Sequence, residues 1–204
     1  AGLISTQAIA ALSLSFMIFF LIIGFGYGFS SAITALLGNA LGKKRYKLAS
    51  IYAHKGLIFV PLIGLTLSII GYFFAPSLFM FLGAKDEYLQ ISLDYINPIL
   101  FGAIFFMFNF SLNSILIATG DTKTYRNSLI FGFFANLALN PLFMYGFLFV
   151  PAMGIKGIAF ATVLIQIINM FYLFYKVLQT KLIHFDKLEY FIPNLRIYEL
   201  FFTL

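Results

Sequence analysis

The sequence predicts an all-α, polytopic bundle of five transmembrane helices, and three observations carry that expectation. Its 204 residues are 62% hydrophobic and only 10% charged, with a mean hydropathy of +0.99. Soluble domains hold about 45–50% apolar and about 25% charged residues. Five apolar runs reach the roughly 20 residues that one bilayer crossing takes. The 13 Lys and Arg fall almost entirely into connectors on one side, which is the asymmetry that sets membrane topology.

The first run, 8–37, is longer than one crossing requires, so it should tilt or project. Gly24 and Gly28 form a GxxxG pair in its lower half, which admits a neighbouring backbone. A basic loop follows with Lys43, Lys44, Arg45 and Lys47. The second run, 57–75, has Pro61 near its start and is expected to end at Pro76, which cannot donate a backbone hydrogen bond. A connector with Lys85, Asp86 and Glu87 leads to the third run, 88–118. That run carries Asp94, Asn97 and Pro98 early, then Asn109 and Asn113. Gly120, Asp121, Thr122 and Lys123 form the next turn. The fourth run is 128–150, residues 151–154 make a tight connector, and the fifth run is 155–178.

Residues 1–178 thus read as one five-helix unit, and 179–204 as a cytoplasmic connector entering a further transmembrane helix. The absence of an initiator Met, the small polar patch at Ser5, Thr6 and Gln7, and the apolar stretch at 201–204 mark the sequence as an internal piece of a longer chain.

Alternating spans place Lys43, Lys44, Arg45, Lys47, Lys55, Lys123, Arg126, Lys176, Lys181, Lys187 and Arg196 on one side, and only Lys85 and Lys156 on the other. This bias puts residue 1 outside and the C-terminus in the cytoplasm of a cell (inner or plasma) membrane. It also accounts for the net charge of +6 without nucleic acid as a partner. The chain lacks Cys, so disulfides and thiolate chemistry drop out. His54 and His184 have no second ligand at metal spacing. No Ser/His/Asp arrangement, paired carboxylate or phosphate-cradling glycine loop appears, so an enzyme is not expected, nor is a cofactor. Spans without mid-membrane Arg or Lys argue against voltage sensing. The lack of a repeated pore loop argues against a channel.

Polar residues within the spans carry the functional expectation. Asn136 and Asn140 lie four residues apart, on one face of a helix. Pro141 deprives the Leu137 carbonyl of its helical partner, which makes Pro141 a candidate hinge or kink. Thr162, Gln166 and Asn169 follow helical spacing in the fifth span, as do Asn109 and Asn113 in the third. Such stripes face protein or water rather than lipid. They either form interhelical hydrogen bonds, worth about 0.6 kcal/mol each, or line an interior hydrated cavity. Proline-interrupted helices with polar stripes suit a secondary transporter. The 28 Phe and 12 Tyr either face lipid or line a cavity for aromatic or cationic solutes.

Several stretches resemble the multidrug and toxin extrusion (MATE) transporters. The run GFSSAITALLGNA at 28–40 before a basic loop is similar to the family's second helix, and GDTK at 120–123 to its turn between helices four and five. NLALNPL at 136–142 followed by GIKGIAFAT at 154–162 resembles its helix-five and helix-six signatures. The resemblance implies helices two to six of the first lobe of a twelve-helix antiporter, with the first helix and the second lobe of the same chain as its missing partners. It implies export of drugs or other small organic solutes through the membrane lipid, in exchange for Na+ or H+, by alternating access.

By position, Asn136, Asn140 and Thr162 would form the first-lobe cation site, which could hold a Na+. Asn109, Asn113, Gln166 and Asn169 would line the substrate cavity. Many relatives carry Asp where this chain has Asn140. An amide neither takes up a proton nor supplies a full charge, so coupling in this lobe is weakened, relies on a helix-one acid upstream, or belongs to the other lobe. The alternative within the wider superfamily is a lipid-linked oligosaccharide flippase. Flippase cavities are often lined by Arg and Lys, which are missing here.

Overall fold

The computed structural model describes residues 6–147, 150–184, 190, 192 and 195–203. Five long helices run in chain order: α1 (Thr6–Gly42), α2 (Tyr46–Phe81), α3 (Asp86–Ala118), α4 (Lys123–Tyr145) and α5 (Ile155–Gln179). A short α6 (Leu195–Thr203) follows. All five long helices are long and apolar enough to span a membrane. Among the described residues there is no strand, only one antiparallel bridge between Phe147 and Val150. Ser5, Lys187 and Leu204, used in the sequence reading, lie outside the described residues.

The bundle is built around α3, which packs against α1, α2 and α5. Its apolar positions supply much of the core, including Ile96, Ile99, Leu100, Met107, Leu112, Ile115 and Leu116. Opposite them stand Ile33 and Leu37 of α1, Val60 and Phe79 of α2, and Leu173 and Val177 of α5. By contrast, α4 packs mainly on α5, and its Leu129, Ile130, Phe133, Phe134 and Leu137 remain exposed. In a spanning protein such a face meets lipid or another helix.

The expected limits of three spans move. At 37 residues α1 is longer than expected, and α2 extends both ways to 36 residues. At about 1.5 Å per residue each helix is about 55 Å long, well beyond a bilayer core of about 30 Å. Lys47 and Lys55 kept the first turns of α2 out of the apolar count, yet a charged turn continues a helix into water without difficulty. Pro76 does not end α2: it sits inside, as does Pro61. Each proline costs one internal hydrogen bond, a loss that packing and local adjustment accommodate in membrane helices. The fourth span ends at Tyr145, before the expected 150. Gly146 there takes φ 75, a left-handed conformation suited to glycine, and its N–H caps the Leu142 carbonyl.

The segment after α5 is fastened to the first half of α2. Ser50 Oγ donates to the Leu182 carbonyl at 2.6 Å. His54 Nδ1–H donates to the Ser50 carbonyl at 2.7 Å, which leaves Nε2 free to accept from the His184 N–H at 3.1 Å. Lys55 Nζ donates to the Ile192 carbonyl. Higher up, Phe59 stacks on Tyr198 of α6 with ring centroids 4.4 Å apart.

Candidate cation site

The site is built where the second half of α4 meets the first half of α5. Small residues set the distance between them. A Cβ on Gly157 would lie 2.4 Å from the Phe143 carbonyl oxygen, so only glycine lets these backbones approach. The short connector is tied back to α4 by Met153 N–H to Phe143 O (3.0 Å) and Gly154 N–H to Met144 O (3.1 Å). Buried Ala159 and Ala161 continue the small surface of α5.

This approach brings Asn136 and Thr162 together. The Thr162 hydroxyl lies 3.4 Å from Asn136 Oδ1 and 3.0 Å from the Ile158 carbonyl, to which it donates within its own helix. Asn136 Nδ2 donates to the Gly132 carbonyl at 3.1 Å, which fixes the amide so that its oxygen points at α5. One turn along α4, Asn140 Oδ1 is buried and accepts no hydrogen bond. Pro141 lies within α4, with Leu137 exposed four residues earlier. The arrangement offers neutral side-chain oxygens from two adjacent helices. Carbonyl-type oxygens of this kind suit a hard cation, and Asn140 Oδ1 is a buried acceptor with no hydrogen-bond partner among the described residues.

The other polar residues divide. Asn109 Nδ2 donates to Gln166 Oε1 at 2.7 Å and to the Gln166 carbonyl at 3.0 Å, joining α3 to α5, while its own Oδ1 is unpartnered. Asn113, one turn on, is buried with an unpartnered Oδ1. Asn169 lines a cavity of ≈ 330 Å³ between α4 and α5 with Asn127, Ser128 and Tyr172. Two residues that the sequence marks in the third run, without a role, also stand out here. Asn97 also buries an unpartnered oxygen, and Asp94 pairs with Lys156 at 3.1 Å, joining α3 to α5 at the end of the bundle opposite the basic loop. Asp94 and Lys156 are opposite charges assigned to the same sparsely charged side, and that was the available signal for their pairing.

A family model described as MatE matches residues 1–142. The chain belongs to the MATE family. It is 35% identical over 162 residues to the probable multidrug resistance protein YoeA of Bacillus subtilis (strain 168), covering 79% of this chain and 35% of that protein. A FAD transporter of Shewanella oneidensis is 29% identical, covering 78% of this chain and 35% of its own length. Among solved structures, an outward-facing conformation of a multidrug resistance MATE family transporter matches with a TM-score of 0.86 at 26% identity, covering 98% of this chain and 44% of that one. An inward-facing conformation matches equally, with a TM-score of 0.86 and coverage of 97% and 44%. The chain spans about a third of the length of these curated relatives. Membership in the MATE family makes it part of an integral membrane protein of a multidrug efflux family, and its helical architecture is that of the solved MATE structures.

Proposed function

We propose that the protein exports small organic solutes, chiefly cationic drugs, in exchange for Na+, with this chain forming most of one lobe of a MATE transporter. An upstream first helix and a second lobe complete the translocation path in this reading. The basic connectors lie in the cytoplasm, and the Asn136–Thr162 contact lies in the outer half of the membrane. The observation that carries the choice of ion is the Asn140 oxygen, buried and unpartnered beside the Asn136–Thr162 pair. All three side chains present neutral oxygens, and none of them takes up a proton in the physiological range. Within this chain the donor set therefore suits Na+ rather than H+. Na+ would supply a positive charge that satisfies the three oxygens and draws α4 and α5 together.

Alternating access is supported by the equal likeness to an outward-facing and an inward-facing transporter. A segment that fits both states equally behaves as one body that tilts, while the path opens and closes against the other lobe. The test is efflux of a fluorescent cationic dye from vesicles containing the whole protein, with Na+ and H+ gradients imposed separately. Efflux driven by Na+ is expected. Efflux driven by H+ alone would overturn the choice of ion, and no movement under either gradient would overturn the exporter reading.

A further inference from the structure

We propose that the corner between the end of α1 and the start of α2 binds a phosphate-bearing anion, presented by an anionic phospholipid headgroup or as free phosphate. The first observation is one of charge. The chain has no Asp or Glu before Asp86, whereas Lys43, Lys44, Arg45, Lys47 and Lys55 all lie in that stretch. Helices α1 and α2 therefore cannot neutralise their own basic residues.

The second observation is geometric. A cavity of ≈ 340 Å³ opens at this corner, with Lys43, Arg45, Asn39 and Tyr52 among its walls and Leu36 and Leu48 on its apolar side. The backbone turn sets the two cations. Lys43 N–H bonds the Asn39 carbonyl at 3.1 Å and Arg45 N–H the Ala40 carbonyl at 2.8 Å. Between them Lys44 takes φ 56, which reverses the chain so that the residues on either side line the same cavity while Lys44 does not. Among the described residues neither Lys43 nor Arg45 has an ion-pair partner.

The chemistry of the lining selects the ligand. A guanidinium fork matches two phosphate oxygens at once, and a lysine adds a second positive charge. The Asn39 amide and Tyr52 hydroxyl supply further donors. Leu36 and Leu48 continue the wall toward the membrane-spanning parts of both helices, where a glycerol backbone and the first acyl carbons would lie. Basic pockets between helices on the cytoplasmic side are a recognised setting for anionic headgroups. The site is separate from the α4–α5 oxygens and does not depend on them.

The experiment uses the whole protein purified in detergent, with bound lipid counted by native mass spectrometry. Phosphatidylglycerol, phosphatidylcholine and inorganic phosphate are titrated in separate arms. Phosphatidylglycerol binding that weakens roughly 30-fold in the Lys43→Gln/Arg45→Gln variant, but not in Lys123→Gln, is expected for two interfacial cations. Inorganic phosphate binding with the same dependence, without phosphatidylglycerol binding, identifies a soluble anion and also supports the site. Equal binding of phosphatidylglycerol and phosphatidylcholine, or anion binding unchanged in the double variant, overturns it. If the double variant does not accumulate, Lys43→Gln alone should weaken binding about fivefold, and unchanged binding in it overturns the proposal.

Discussion

Gly157 shows how closely single residues are constrained where α4 meets α5. Its missing Cβ is replaced by the Phe143 carbonyl oxygen, a backbone atom of a packed helix that cannot swing away as a side chain would. Gly157→Ala should therefore destabilise the bundle by about 1–3 kcal/mol and lower the thermal unfolding midpoint in detergent. Gly24→Ala meets open space and should not lower that midpoint. An unaltered midpoint for Gly157→Ala would mean that the helices are not in backbone contact. At this scale the sequence was partly legible. The spacing of Asn136 and Asn140, and of Thr162, Gln166 and Asn169, followed from helix periodicity alone. Which stripe met which did not: the Asn109–Gln166 bond depends on how α3 crosses α5, and crossing geometry is set by side-chain shapes on both helices.

Individual elements are held at their ends by specific polar contacts. Asp121 Oδ1 accepts from the N–H groups of Lys123 (3.1 Å) and Thr124 (2.9 Å), and Oδ2 accepts from the Thr124 hydroxyl at 2.5 Å. These bonds to Thr124 hold the carboxyl below its ordinary 3.8. A carboxyl with a depressed folded-state value contributes stability that is complete above the unfolded value and is lost as pH falls through the folded one. The first turn of α4 should thus loosen only below about pH 4. Asp121→Ala should loosen it already at neutral pH, read as faster amide exchange at Lys123 and Thr124. Exchange in the variant equal to wild type would remove the capping role.

His54→Ala should similarly raise exchange at the His184 N–H, about tenfold for one lost hydrogen bond, while Ser50 keeps its hold on Leu182. Such ties are invisible to hydropathy because they join residues 130 positions apart. The limits of α2 were misjudged for a related reason. Charge and proline mark the ends of apolar runs, but a membrane helix ends only where its backbone hydrogen bonding stops.

At the scale of the whole molecule, the five-span bundle was legible because a bilayer imposes one length and one polarity on every crossing. The central place of α3 was less so, although its polar residues hinted at burial: Ser92, Asn109, Ser111, Asn113 and Ser114 are all enclosed. Helix α4 packs mainly on α5, and α5 is tied to α3 by the Asp94–Lys156 and Asn109–Gln166 contacts. Cation binding at the α4–α5 oxygens would act on the contact that holds α4 to the rest of the bundle. The direct test is Na+-driven dye efflux by whole protein carrying Asn140→Leu, reconstituted at the same level as wild type. Loss of the unpartnered oxygen should cut Na+-driven efflux roughly tenfold or more, with membrane insertion intact. Efflux equal to wild type under the same gradient would contradict the account and remove Asn140 from the ion's path.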